Sequence, residues 1–568
     1  MRVLILLLGC LFVLCSTAWC NEPPPSDLPI SKAQLEEAKA EATQRGDISW
    51  MLISTGLVFL MIPGLALFYG GLVRRKNILG TMMHSMVALA VVGIQWVLLG
   101  YCLAFGNTLN GWIGWSPDYL GLREGLAGKN FANTNLPVYL HCMFQGMFAI
   151  ITPALISGAF AERVRFGPYC LFILLWTTLV YDPLAHWVWA VDAEGNAAGW
   201  LGKSGALDFA GGTVVHISAG VAGLAAVLVL KKRTGYPEHA IHPNSIVLTL
   251  VGAGLLWFGW FGFNAGSALG ATRQAVSALA VTQVAAAAAA CAWLVVEWAH
   301  RGKPTALGLA SGVVAGLVAI TPASGFVAPL SALVIGLIAG VVCYVAVALK
   351  HRFGYDDSLD AFGIHGMGGI VGAVLTGVFV SSVLYKEGFG NSTDPGTLAD
   401  GRLAQVTAQL IATGIAIAYS FFVTLGLVLL IERTIGFSLD TRSESEGLDH
   451  CQHGEVGFDF GPTLDTVPER AMPEPRPAAV PPNGASKRFT VVVEGVPTEE
   501  LRRAWVELCQ AGPNPPPGDF RAIYPYLTTL QGNRFRFRGG DPHEMRLQLQ
   551  RLLTDKLDGA AVRTYVES

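Results

Sequence analysis

The chain has 568 residues, of which 52% are hydrophobic and 14% charged, and 66 are glycine. Soluble globular chains carry about 25% charged residues, so this composition excludes an ordinary soluble protein and indicates one that sits in a bilayer. The net charge of −3 reflects loops and tail and selects no class of partner.

The first element, MRVLILLLGCLFVLCSTAWC, has one early Arg2, an apolar core and small residues before Asn21. That is the pattern of a secretory signal peptide over residues 1–20. Cleavage after Ala18 or after Cys20 would serve, and an uncleaved further span is the other reading. From Ile48 onward apolar stretches of about 20 residues recur, the length a helix needs to cross ~30 Å of hydrocarbon. They fall at 48–70, 80–105, 136–160, 167–190, 207–230, 246–268, 276–299, 304–322, 327–349, 361–383 and 405–432. The membrane domain over 48–436 is therefore expected to be an all-α polytopic protein with eleven transmembrane helices.

A cleaved signal leaves the N-terminus outside, and eleven spans then bring the C-terminus to the cytoplasm. The loops this assigns to the inside hold Arg74, Arg75, Lys76, Arg163, Arg165, Lys231, Lys232, Arg233, Arg301, Lys303, Lys350 and Arg352. Those assigned outside hold Arg123, Lys129, Lys203, Arg273, Lys386 and Arg402. Twelve against six is the asymmetry of the positive-inside rule.

Spans five and ten open alike, with an acidic residue, glycines and a histidine: DFAGGTVVH from Asp208 and DAFGIHGMGG from Asp360. Their positions divide the chain into two inverted five-helix repeats plus one helix, and such repeats hold a transport site between them near the midplane. A histidine in hydrocarbon is costly unless paired or lining a cavity, so His216 and His365 are candidate pore residues. The alternative is a pair of histidines tying helices together through hydrogen bonds. Two neutral imidazoles side by side can donate and accept along a path without a fixed charge. Asp208 and Asp360 are positioned to cap helix N-termini, and Asp208 has the further reading of biasing an outer vestibule towards cations.

Aromatic residues complete the candidate path. Phe144 and Phe148 are four apart in HCMFQGMF, Trp189 closes AHWVW, and Trp260, Phe263 and Ser267 stand at i, i+3 and i+7 in LLWFGWFGFNAGSA, on one helical face. Single aromatics in membrane helices commonly pack or anchor. On this topology they form an order, with Trp189, Trp260 and Ser267 outermost, Phe148 and Phe263 deeper, His216 near the middle and His365 in the inner half. An aromatic vestibule attracts a small cation by up to ~2 kcal/mol when desolvated, and a serine hydroxyl adds a directional acceptor.

Residues 437–486 form a tail ending in the linker PERAMPEPRPAAVPPNG, whose prolines make it semi-rigid. Over 487–568, RFTVVVEGV predicts a strand and PTEELRRAWVELCQ a helix with Leu501, Trp505 and Leu508 on one face. FRAIYPYLTTL and NRFRFR predict two strands, DPHEMRLQLQRLLTDKL a helix capped by Asp541, and VRTYV a last strand. This βαββαβ order is the ferredoxin-like α+β plan. The alternating arginines of NRFRFR fit an exposed sheet face, and no nucleic-acid partner is expected. The cysteines form neither a disulfide framework nor a metal site, so no metal or cofactor is expected. Without a nucleotide loop or a nucleophile beside a base, the chain does not read as an enzyme.

Taken in order, LALFYGGLVRRKN, FQGMF followed by AERVRF, ALDFAGGTVVH, WFGFNAGSA, FGIHGMGGIVG and the tail motif GLDHCQHGE resemble the ammonium transporter family, the Amt branch of the Amt/Rh superfamily. The similarity covers about residues 48 to 458. It implies a homotrimer in the cell (inner) membrane with one pore per eleven-helix subunit. It also implies an external ammonium site of Phe144, Trp189 and Ser267, with Asp208 as the family's buried aspartate. A gate of Phe148 and Phe263, with Trp260 on its face, and twin pore histidines His216 and His365 follow. The implied function is to recruit ammonium, deprotonate it and conduct ammonia to the cytoplasm, with methylammonium as an analogue. Potassium has no proton to give up, and this step separates the two ions. The family's cytoplasmic face docks PII-type signalling proteins. The domain at 487–568 is an addition to the family pattern, and it motivates the alternative of an ammonium sensor that signals through that domain.

Overall fold

The computed structural model describes residues 31–238, 241–389, 401–458, 488–510, 527–538, 541–557 and 562–567. The expected signal peptide and the proline-rich linker lie outside these residues. Among the described residues, ten helices are long and apolar enough to cross a membrane, and a shorter apolar one joins them. In chain order they are α1 (Lys32–Leu72), α2 (Arg75–Phe105), α3 (Val138–Ile156), α4 (Phe166–Trp189), α5 (Gly212–Val229) and α6 (Ile246–Gly266). There follow α7 (Arg273–Arg301), the shorter α8 (Ala306–Ile320), α9 (Pro329–Phe353), α10 (Phe362–Phe379) and α11 (Arg402–Thr434).

Three of these differ from the hydropathy reading. α1 starts well before Ile48, because Ser31 accepts from the Gln34 N–H at 3.2 Å while the Gln34 side chain accepts from the Ser31 N–H at 3.0 Å, a reciprocal cap. The added turns are polar and carry the exposed pairs Lys39–Glu36 and Arg45–Glu41, so no apolar run announces them. α8, with 15 residues, rises only about 22 Å at 1.5 Å per residue, less than the expected span over 304–322 would need. α5 begins at Gly212 and not at 207, for a reason that belongs to the site.

α1 packs along α6, and α7 against α8 and α9. Large side chains such as Trp96, Trp176 and Phe172 are fully buried between helices, while Leu52, Ile53, Phe258 and Phe422 are exposed, an outward apolar surface suited to lipid.

At the end of the bundle where Asn244 donates to the Gly70 and Val73 carbonyls, the connecting segments meet in a buried ionic network. Glu162 accepts from the Arg74 N–H at 2.7 Å, Asn77 at 2.8 Å and Arg233 at 3.2 Å. Asp356 accepts from Arg233 at 2.7 Å and Arg163 at 2.9 Å. The tail is fastened to this network: Glu444 accepts from the Thr234 N–H at 2.7 Å and from Arg74 at 3.4 Å. Asn77 accepts from the Leu448 N–H at 2.9 Å, and Asp449 from the Gly80 N–H at 2.8 Å.

A second compact unit begins at Asp459. Its described elements run β1 (Arg488–Glu494), α12 (Thr498–Gln510), β2 (Leu527–Gln531), β3 (Arg534–Arg538), α13 (Pro542–Lys556) and β4 (Arg563–Glu567). The strands are antiparallel, in the order β2-β3-β1-β4. Phe489, Val491, Val493, Phe535 and Phe537 pack against Leu501, Trp505, Leu549 and Leu553 of the helices. The expected cap is present, Asp541 accepting from the His543 and Glu544 N–H groups at 2.9 Å. Residues 520–526 of the expected second strand lie outside the described residues.

Candidate functional site

The first four N–H groups of a helix have no partner within it, and at α5 one side chain supplies all four. Asp208 accepts from Gly211 at 2.8 Å and Gly212 at 2.6 Å through one oxygen, and from Thr213 at 2.8 Å and Val214 at 3.0 Å through the other. Gly211, at φ +114°, makes the left-handed turn that brings the chain round, a conformation without cost only for glycine. Because the carboxylate needs this loop before the helix, α5 cannot start at 207. The Asp208 carbonyl in turn accepts the Trp189 indole N–H at 2.7 Å, which ties the end of α4 to the start of α5.

The first turn of α5 is wide, a π turn over Gly212–Ile217 in which the His216 N–H reaches the Gly211 carbonyl at 3.0 Å. α10 repeats the construction. Its first turn, Phe362–Gly366, is also a π turn and contains His365. A carboxylate eight residues before that histidine, Asp357, accepts from the Ala361 N–H at 3.0 Å and the Phe362 N–H at 2.8 Å, and Asp208 likewise precedes His216 by eight. Such π turns are frequent at functional sites.

Asp360, expected to be the cap, is not. It lies at φ +62° and pairs with Lys350, which also donates to the Asp357 carbonyl at 2.7 Å. Its left-handed backbone is not the extended conformation an N-cap adopts, and its carboxylate is held by Lys350, which leaves the first N–H groups to Asp357. Burial raises the Asp357 carboxyl, with Lys350 opposing.

The two histidines meet between α5 and α10, their ring centroids 5.4 Å apart and their planes 18° from parallel. Gly220 permits the approach, since a Cβ there would lie 2.2 Å from the Gly366 nitrogen. His216 is 1% exposed and His365 5%. Among the described residues, neither ring nitrogen of His216 nor Nδ1 of His365 has a hydrogen-bond partner. Both rings line a narrow cavity whose other walls include Leu65, Leu155, Trp260 and Phe263.

Phe148 and Phe263 face each other with centroids 4.2 Å apart. Phe144 lies 5.0 Å and Trp189 6.1 Å from Phe148. Phe144 also lies against Gly266, next to Ser267. The Ser267 hydroxyl donates to the Phe263 carbonyl at 2.9 Å, which leaves its oxygen as an acceptor.

Trp260 stacks on His216 at 5.4 Å and adjoins Phe263 at 5.3 Å, its indole donating to Thr321 at 2.9 Å. α6 runs from Ile246 towards Ser267, so Trp260 lies about one turn further from Ser267 than Phe263 does. The expected order, with Trp260 outside Phe263, is therefore reversed: a shared face does not mean a shared depth. Along α6, Ser267 follows Gly266, against which Phe144 lies; next comes Phe263 facing Phe148, which Phe144 and Trp189 flank, then Trp260 with His216, then His365. Asp357, Thr321 and Gly220 escaped sequence reasoning. For Asp357 the eight-residue spacing to His365 was the available signal, whereas Thr321 and Gly220 act through contacts between distant segments and left none.

Comparison with known proteins agrees over most of the chain. Residues 49–458 match the profile of the Ammonium Transporter Family. The ammonium transporter of Aquifex aeolicus is 48% identical over 432 residues, 76% of this chain and 96% of that protein. Among solved structures, Saccharomyces cerevisiae Mep2 superposes with a TM-score of 0.64 at 38% identity, covering 70% of this chain and 88% of its own. A structure described as a sensor Amt protein superposes at 0.66 with 28% identity, covering 72% and 98%. The chain is a multi-pass membrane protein and belongs to the ammonium transporter family.

Proposed function

We propose that the protein conducts ammonium nitrogen across the membrane as ammonia, through the path from Ser267 to His365. The observation that carries this reading is the buried imidazole pair, 5.4 Å apart, lining an otherwise apolar cavity directly behind two phenyl rings 4.2 Å apart. Buried polar atoms without partners are costly, and a small guest that both donates and accepts would satisfy them. In this reading ammonium is held by the faces of Phe144 and Trp189 and by the Ser267 oxygen, and Asp208 positions Trp189. A dry site penalises charge, which favours loss of the proton. Phe148 and Phe263 must part for ammonia to pass, and Trp260 holds His216 beyond them.

The same reading takes α8 as the eighth of eleven spans, with inverted halves supported by the repeated aspartate-to-histidine construction. It takes a cleaved signal from the N-terminal pattern, an outside N-terminus and a cytoplasmic C-terminus from the charge asymmetry of the loops, and a homotrimer in the cell membrane and a PII-type partner from the family resemblance. The strand order β2-β3-β1-β4 supports a ferredoxin-like plan for the second unit. The likeness to a sensor Amt protein, together with that added unit, supports a second reading in which the protein reports ammonium to the cell.

The test pairs uptake of ammonium nitrogen into proteoliposomes with current across a solid-supported membrane carrying the purified protein. External ammonium should be taken up faster than in protein-free vesicles without a sustained current, and His216→Ala and His365→Ala should slow that uptake. A sustained current would mean that charge crosses with the nitrogen, and tight ammonium binding without uptake would favour the sensor.

A further inference from the structure

One face of the second unit carries a charge pattern that conduction does not use. Along β3, Phe535 and Phe537 are buried in the core while Arg534, Arg536 and Arg538 are exposed. Alternation of side chains puts the three arginines on the opposite face, about 7 Å apart. The register aligns them across the sheet: Arg534 with Val492 and then Tyr565, Arg536 with Thr490 and then Glu567, Arg538 with Arg488. On β4, Arg563 and Tyr565 are exposed and Thr564 is turned to the helices, where it donates to Gln550 at 2.9 Å. Among the described residues the open face has Arg534, Arg536, Arg538 and Arg563, with Glu494 and Glu567 as its acids; Arg534 pairs with Glu567 at 2.5 Å, and Val492, between Arg534 and Tyr565, is buried beneath these side chains at 2% exposure.

Like charges in register repel, which disfavours stacking this face on a second copy of itself. With the aromatics of β3 turned inward, Tyr565 is the single ring on this face among the described residues, fewer than the two or three that stack nucleobases on such a sheet. A flat sheet rich in arginine, whose guanidinium groups recognise phosphate in a bidentate manner, complements a surface of anionic headgroups. The chain supplies proximity as well. Residues 459–487 cannot carry the unit more than about 100 Å from Phe458 in any conformation, so weak contacts act at high effective concentration.

We infer that the open face of this sheet docks on the anionic phospholipid headgroups of the bilayer that holds the transporter. The test uses the full chain in nanodiscs of phosphatidylcholine alone or with phosphatidylglycerol, and reads the rate of phenylglyoxal modification at each arginine by mass spectrometry. Modification of Arg534, Arg536, Arg538 and Arg563 should slow several-fold in the phosphatidylglycerol discs and recover at high salt. Arg503, exposed on α12, should not change. In an Arg534→Gln, Arg536→Gln variant, the lipid effect at Arg538 and Arg563 should be lost. Equal rates in both lipids would overturn the inference, and so would slow modification in both, which would mean another occupant, or slowing only on addition of an RNA or an acidic peptide. Both leaflets of a nanodisc carry the anionic lipid, so the outcome does not depend on which side the tail occupies or on whether the pore conducts.

Discussion

Replacing Asp208 with asparagine separates two roles that its position allows. If the residue served only as a negative charge, Asp208→Asn would weaken ammonium recruitment and leave the fold intact. The geometry argues for more. Four N–H groups converge on the two oxygens at 2.6–3.0 Å, and asparagine retains one oxygen. With that oxygen facing Gly211 and Gly212, its NH2 group would meet the Thr213 and Val214 N–H groups, donor against donor. Hydrogen bonds to a charged group contribute roughly 1.5–3 kcal/mol each, so losing two costs about 3 kcal/mol or more. Because the Asp208 carbonyl also holds the Trp189 indole, the loss reaches the proposed ammonium site. Thermal unfolding of purified Asp208→Asn protein should show a drop of several degrees, with transport loss expressed in maximal rate as well as in apparent affinity. A variant as stable as wild type, altered in affinity alone, would refute the capping role.

Three further outcomes follow from the same contacts. Gly220→Ala would put a methyl group against the Gly366 backbone, which cannot yield as a side chain can. Overpacking of this kind costs typically 1–3 kcal/mol, and transport and thermal stability should both fall, whereas Gly254→Ala, with nothing within 4 Å, should keep both. Asp357→Asn should damage stability and transport as Asp208→Asn does, while Asp360→Asn, which alters the pair with Lys350, should disturb transport less; equal damage from the two in a side-by-side assay would reject Asp357 as the cap.

The third concerns pH. Burial pushes the Glu162 and Asp356 carboxyls up, but Arg74 and Arg233 at the first, and Arg233 and Arg163 at the second, outweigh it and hold both below the usual range. A carboxyl with a depressed folded value stabilises above its unfolded pKa, about 4.3 for Glu and 3.9 for Asp. That stabilisation is lost as pH falls through the folded value. The hydrogen-exchange protection factors of residues 441–458, with the intrinsic pH dependence of amide exchange divided out, should therefore stay flat from neutral pH to about 5 and fall only on further acidification. Release of the tail between pH 7 and 6 would contradict this assignment.

Hydropathy was enough to find most of the helices, because a bilayer demands long apolar runs with internally satisfied backbones. It missed the first turns of α1, which are held by the Ser31 cap and surface ion pairs, and it overstated α8. The residues of the proposed path stood out as types, since histidines in apolar runs and a serine after a glycine-rich aromatic segment are unusual. Their order was less so: the helical period relates Trp260 to Phe263 by face, and depth has to be counted from the helix end. The mistaken cap has a similar origin. Asp360 stood next to the apolar run in the sequence, but capping depends on backbone conformation and competing partners, and Asp360, left-handed and paired with Lys350, leaves the first N–H groups to Asp357.

The most direct measurement is the internal pH of proteoliposomes after external ammonium is added, with a trapped dye and no imposed potential. If ammonia crosses and its proton remains outside, the interior should become alkaline faster than in protein-free vesicles, and Phe263→Trp, which fills the space beside Phe148, should slow the rise. Ammonium uptake without accelerated alkalinisation would mean that the intact cation, or the proton with it, crosses, and would contradict the proposed passage of ammonia with its proton left outside.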